Sequence, residues 1–145
     1  MTYYPPVGFH FSVRFAFSGQ DQDTRFQSVA GLSVEYETET IKEGGENRFV
    51  HELPVRTQYS TLVLKRGMLV DSDVVKWCLD AFENRSFAPT DLQVILLNES
   101  SEPLKTWNIV QAWPKKWSVS DFNAEENSLV IETLEMSYRY FKILN

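Results

Sequence analysis

The sequence predicts a mainly β protein: an antiparallel sandwich or barrel with one packed α-helix and a long β-hairpin. Three observations predict it. Apolar and polar residues alternate with period two in several runs, the signature of half-buried strands. Only one run shows helical spacing, from Val74 to Phe82. The order is strands, one helix, strands, which suits an antiparallel sheet system rather than a βαβ repeat.

The first strand is read from Phe9, Phe11, Val13, Phe15 and Phe17 on one face, with His10, Ser12, Arg14 and Ala16 on the other. Ser18-Gly19-Gln20-Asp21 reads as a turn. A second strand region runs from about Phe26 to Ile41 and is expected to break at Gly31. Its later part puts Glu35, Glu37 and Glu39 on one face and Val34, Tyr36, Thr38 and Thr40 on the other. Lys42, Glu43, Gly44, Gly45, Glu46 and Asn47 form a hairpin tip, where the glycines can take positive φ. The chain returns through Arg48 to Leu53 and is expected to stop at Pro54, which cannot donate to a ladder. Thr61 to Gly67 is a further strand.

The helix follows. Asp71 or Ser72 can cap it, and Asp73 suits the positive end of its dipole. Val74, Trp77, Cys78, Ala81 and Phe82 fall on one apolar stripe, and Asn84-Arg85-Ser86 ends it. Three more strands are expected: Leu92 to Asn98, Leu104 to Trp113, and Leu129 to about Tyr140. Glu99 to Pro103 is a polar turn between the first two, and Pro114 to Ser118 closes the second. Val119 to Asn127 reads as a polar connection. There is no internal repeat, linker or low-complexity tract.

The 145 residues fit a single domain, 1–145, with 1–8 as an N-terminal arm. A chain of this size buries enough surface to need no disulfide or metal. Aromatics make up 14% of it and sit in the alternating runs, which strengthens the sheet reading. The net charge is −6. An acidic surface repels phosphate and anionic lipid, so no specific nucleic-acid site is expected. No stretch approaches the ~20 apolar residues of a membrane helix. The start has neither a basic nor an apolar signal region, so cytoplasmic synthesis and assembly are expected. Cys78 is the one cysteine, and no internal disulfide can form.

No catalytic or metal-binding constellation emerges, and no cofactor is expected. His10 and His51 sit among polar strand neighbours without metal-ligand spacing. Cys78 lies on the apolar stripe, which points to packing rather than nucleophilic attack. Gly44-Gly45 lacks the following helix that a phosphate loop requires. Glu35, Glu37 and Glu39 lie along one strand face rather than flanking a pocket. That face should meet water, either outside or in a channel. Long Thr- and Glu-rich strands with open edges are a liability in a lone molecule. Closing a sheet around a ring of chains removes the edges.

Several runs carry a resemblance. Val29 to Glu35, Glu43 to Asn47, Leu53-Pro54, Tyr59 and Leu62-Val63-Leu64-Lys65-Arg66-Gly67 resemble the phage-type tail tube protein family of contractile tails and related injection systems. So do Trp107 to Trp117, with its Ala112-Trp113-Pro114-Lys115-Lys116-Trp117 turn, then Asp121 to Ala124 and Glu132-Thr133-Leu134-Glu135. The match spans roughly residues 9 to 140 in register. Val55 stands where the family often has glycine.

The resemblance implies hexameric rings that pool strands into a shared inner β-barrel and stack into a hollow tube for cargo or genome. It implies itself, sheath subunits and baseplate or spike proteins as partners, with no enzyme activity. Residues Lys42 to Asn47 become candidates for stacking contacts, and Glu35, Glu37 and Glu39 for the channel wall. Trp77, Phe82, Trp107, Trp113 and Trp117 are expected in the core or at subunit seams. The alternative is a baseplate-proximal ring of the same fold that starts the tube beside a spike. A remote alternative is a small monomeric β-barrel that binds a ligand.

Overall fold

A computed structural model of the chain describes residues 9–17, 25–42, 50–69, 71–121 and 130–144. Ten strands and one helix occur among them: β1 (His10–Phe15), β2 (Arg25–Phe26), β3 (Ser28–Ala30), β4 (Val34–Lys42), β5 (Val50–Tyr59), β6 (Leu62–Gly67), α1 (Asp73–Glu83), β7 (Thr90–Leu97), β8 (Pro103–Val119), β9 (Ile131–Ser137) and β10 (Tyr140–Ile143). All strand pairs are antiparallel.

Period-two alternation builds the core as expected. Val13 and Phe15 of β1, Leu62 and Leu64 of β6, Leu92 and Val94 of β7, and Leu134 and Met136 of β9 all point inward and are buried. They form one cluster with Val74 and Cys78 of the helix. Phe9 and Phe17 share the inner side of the pattern but lie beyond the ends of β1, and they stay 49% and 42% exposed.

The larger sheet runs β2-β1-β7-β8-β9-β6-β3, with β10 paired to β8 off this path. Its two ends, β2 and β3, are separated in the chain by Gln27 alone. The Gln27 N–H donates to the Lys65 carbonyl at 2.8 Å. The sheet therefore returns on itself through the short segment 25–30. β4 and β5 form a separate two-stranded ribbon.

The structure redraws three boundaries. Pro54 does not end the return strand: β5 runs through it to Tyr59. Pro54 lies opposite Thr38 at a bulge where Val55 is the extra residue. A bulge interrupts the ladder there, and bulges are among the places where a strand tolerates proline. Pro114 likewise does not close β8, which continues for 17 residues. β8 pairs with β7 and β10 in its first half and with β9 in its second. The change of partners comes between Ala112 and Trp113, just past an irregularity at Gln111, which has φ 55° and whose N–H is taken by the Asp91 carboxylate at 3.0 Å. The final expected strand is two, β9 and β10, parted at Tyr138 and Arg139 as the chain follows this bend.

The helix matches its stripe. Ser72 is the N-cap, and its hydroxyl accepts from the Val75 N–H at 3.2 Å. Val74, Cys78 and Ala81 are buried. Phe82, at the edge of the stripe, is 44% exposed.

Candidate assembly surfaces

The ribbon is the part of the molecule that a lone copy leaves unfinished. It continues the β3–β6 pair past a kink at Gly31, where φ is 94°. A Cβ at this position would run into the Thr61 carbonyl, so the close approach of the two strands requires glycine. Beyond the kink the Ser60 N–H donates to the Ser33 carbonyl, and the two serine hydroxyls meet at 2.7 Å. Tyr59 closes the root by edge contacts with Tyr138 and Phe141, at centroid distances of 5.9 and 5.1 Å. From there nine residues of β4 pair with ten of β5. Neither strand has a second hydrogen-bonded neighbour among the described residues.

Both faces of the ribbon are exposed. Glu35 lies opposite Gln58, Glu37 opposite Arg56, and Glu39 opposite Leu53. The Glu37 carboxylate accepts from Arg56 Nε at 2.9 Å. This pair lies in solvent, where such a contact contributes little. Val34 and Tyr36 on the other face are 47% and 62% exposed. The three glutamates thus share one face, as the sequence pattern required. Lys42 is the last residue of β4. The remaining tip candidates, Glu43, Gly44, Gly45, Glu46 and Asn47, lie outside the described residues, as does the arm 1–8.

The aromatics divide by exposure. Trp77 is partly buried beside Phe15 and Phe17, and its indole N–H donates to the Ala88 carbonyl at 2.7 Å. Trp107 packs against the core cluster. Trp113 is 37% exposed and meets Phe87 edge-on at 5.8 Å. The Trp117 indole N–H is buried without a hydrogen-bond partner among the described residues. Trp113 and Phe82 are therefore surface aromatics in a single copy.

The residues that sequence reasoning passed over as chemistry stay apart. His10 and His51 are exposed on different strands. Cys78 is buried, and burial first, then the charge of Glu132, pushes its thiol up to about 12. No group of three histidine, cysteine, aspartate or glutamate side chains is placed to hold a metal among the described residues. No helix among them is long and apolar enough to cross a membrane.

One polar cluster escaped the sequence reading. Arg66 and Glu132 lie directly opposite each other on β6 and β9, both facing the core. Arg66 Nε donates to Glu132 Oε1 at 2.8 Å. A second guanidinium nitrogen donates to the Ser72 hydroxyl at 2.9 Å, and the guanidinium carbon sits 4.7 Å from the Phe26 ring centroid. The same serine therefore caps the helix and anchors it to the sheet. The signal was present in the alternation Leu62, Leu64, Arg66 and Glu132, Leu134, Met136, but only the register makes it a pair.

The comparisons with known proteins address the fold and the ribbon together. The family model for the T4-like virus tail tube protein gp19 matches residues 7–142. No curated protein sequence matches the chain. Among solved structures, a chain in the cryo-EM structure of the anti-feeding prophage baseplate, 6-fold symmetrised, is 30% identical. The match covers 99% of this chain and 97% of that one, with a TM-score of 0.85. A chain of an extracellular contractile injection system, from the PVC sheath-tube complex in the extended state, is 22% identical over 98% of this chain and 93% of that one. Its TM-score is 0.79. Hcp1 from Flavobacterium johnsoniae shares the fold at 18% identity and a TM-score of 0.56, with 92% and 94% of the two chains covered. A sheet that returns on itself, an unfinished ribbon and a family match over nearly the whole length lead to one conclusion: this chain belongs to the T4-like tail tube protein gp19 family and is a structural protein of a phage-type tail or contractile injection system.

Proposed function

We propose that the chain forms hexameric rings that stack into the inner tube of a contractile injection system or phage tail, and that it catalyses no reaction. The observation that carries this reading is the ribbon. Its strands, nine and ten residues long, pair with no third strand among the described residues, while the ends of the larger sheet are joined through segment 25–30. Open edges of this length are templates for pairing with another chain. Head-to-tail pairing that closes gives a ring with a shared inner sheet.

Glu35, Glu37 and Glu39 then face the channel. Six copies at −6 each give a ring of −36, which repels acidic cargo or nucleic acid from the wall and keeps it moving. The tip, Lys42 to Asn47, reaches the adjacent ring. Sheath subunits surround the tube, baseplate or spike proteins cap it, and assembly takes place in the cytoplasm before release. Trp113 and Phe82 are covered at seams.

A second reading has an observation of its own. The match at 30% identity comes from a baseplate structure, whereas the sheath-tube match stands at 22%. A baseplate-proximal ring would close without polymerising. Negative-stain microscopy of the purified protein tests both: stacked tubes support the repeating subunit and single rings the baseplate-proximal one. A strict monomer at tens of micromolar would rule out either. Replacing Gly44-Gly45 with Val-Val should leave rings and impair stacking; normal tubes from that variant would remove the tip from the interface.

A further inference from the structure

The glutamate face of the ribbon changes its chemistry halfway along. Near the root it carries Glu35 opposite Gln58 and the ion-paired Glu37 and Arg56. Past the Val55 bulge the same face carries Glu39 opposite Leu53, then Ile41 opposite His51. Ile41 and Leu53 are 44% and 46% exposed. Two adjacent large aliphatic side chains gain by leaving water, whereas Glu35 and Glu37 gain by staying in it. A bulge raises local twist and re-aims the side chains beyond it. The distal half is thereby free to turn toward a different neighbour from the proximal half.

A matching surface lies on β10. β10 has one hydrogen-bonded neighbour among the described residues, β8. Tyr140, Lys142 and Leu144 alternate onto one face of β10, and the Leu144 N–H still donates to the Thr106 carbonyl, at 2.7 Å. Lys142 lies opposite Asn108. Tyr140 and Leu144 are 37% and 46% exposed. The Lys142 ammonium sits at their margin, 5.9 Å from the Tyr140 ring centroid. Each patch thus has exposed apolar side chains and one charge at its rim, and the two charges are opposite in sign. Exposed apolar groups inside a charged rim are the anatomy of a protein interface, with the rim charges selecting the partner.

Within one copy the patches are separate. It is Tyr59 that touches β10, through Phe141, and Leu53 stands six residues, ~20 Å of strand, farther out. We propose that the distal ribbon of one copy, through Glu39, Ile41 and Leu53, docks on the Tyr140, Lys142 and Leu144 face of a second copy. Different surfaces meet on the two partners, so the contact is heterologous and propagates around a ring or along a stack. The inference rests on the tube reading and narrows it: Glu39 leaves the channel row for the seam, and Glu35 and Glu37 remain.

Cross-linking and charge reversal test it. Leu53→Cys with Leu144→Cys, oxidised under assembling conditions, should give a dimer between copies on a non-reducing gel. Glu39→Lys and Lys142→Glu should each raise the concentration needed for assembly by ~5-fold, the upper range for one exposed charge contact. The double reversal should restore assembly. All four positions are exposed in the single copy, and an unchanged melting temperature checks that folding is intact. Tubes or rings that form normally without the cross-link would overturn the docking and leave the tube reading standing. A double reversal no better than either single variant would remove Glu39 and Lys142 from the contact. Wild-type protein that never assembles would sink the tube reading itself.

Discussion

Arg66 and Glu132 meet in the interior with side chains only 3% and 4% exposed. Glu132 Oε2 has no hydrogen-bond partner among the described residues. Breaking such a pair leaves a buried charge uncompensated. Arg66→Met should therefore destabilise the protein by about 3–5 kcal/mol in urea unfolding. Arg66→Met with Glu132→Leu should recover most of that loss, because an apolar pair of similar volume needs no partner. A double variant as unstable as the single one would mean that the pair, not the stranded charge, carries the stability. Cys78 lies close enough to this cluster to feel both charges. Its thiol stays protonated in the folded state up to about 12, while in the unfolded chain it ionises around its ordinary 9.0. Its contribution is fully present below pH 9 and is lost between pH 9 and about 12, where the unfolded state releases the proton first. Cys78→Ala should flatten the fall in urea midpoint across that window. The native thiol should resist alkylation until the chain unfolds.

At the scale of the element, the ribbon and its kink stand out. Gly31 holds a positive φ and leaves no room for a side chain against Thr61. Gly31→Ala should cost at least ~2 kcal/mol, the sum of left-handed strain and a forced shift of β6. It should also displace the root contacts of Tyr59. A urea midpoint equal to wild type would show that the strands part without penalty. The turn residue was readable as a break in the second strand region, and so were the alternating faces of β4 and the N-terminal cap of α1. The prolines were misleading. Pro54 and Pro114 read as stops because a proline breaks a central ladder. Pro54 sits at a bulge on an open edge, and Pro114 sits in β8 one residue before its register with β9 shifts. Both stand at register shifts, where the ladder is interrupted.

For the whole molecule, the contrast lies between a sheet that closes on itself and a ribbon that does not. Hydrogen exchange should report it. Amides of β8 and β9 are locked in the closed part and should be protected in unassembled protein. The outward amides of β4 and β5 should exchange fast in single copies and slow on assembly. Protection of the ribbon that is equal in both states would mean its edges are satisfied within one chain. At the surface, Trp113 and Phe87 form an exposed edge-to-face pair.

The sequence by itself determined the strand-rich class, the single helix with its buried stripe, the shared face of Glu35, Glu37 and Glu39, and the family. These follow from periodicity and local residue chemistry, which act over a few neighbouring positions. Tertiary structure alone decided that Arg66 faces Glu132 across 66 residues of chain, that segment 25–30 joins the two ends of the sheet, and that β8 changes partners after Ala112. Those outcomes depend on strand register, and register is set by the simultaneous burial of side chains distant in sequence. No single stretch of the chain contains that information.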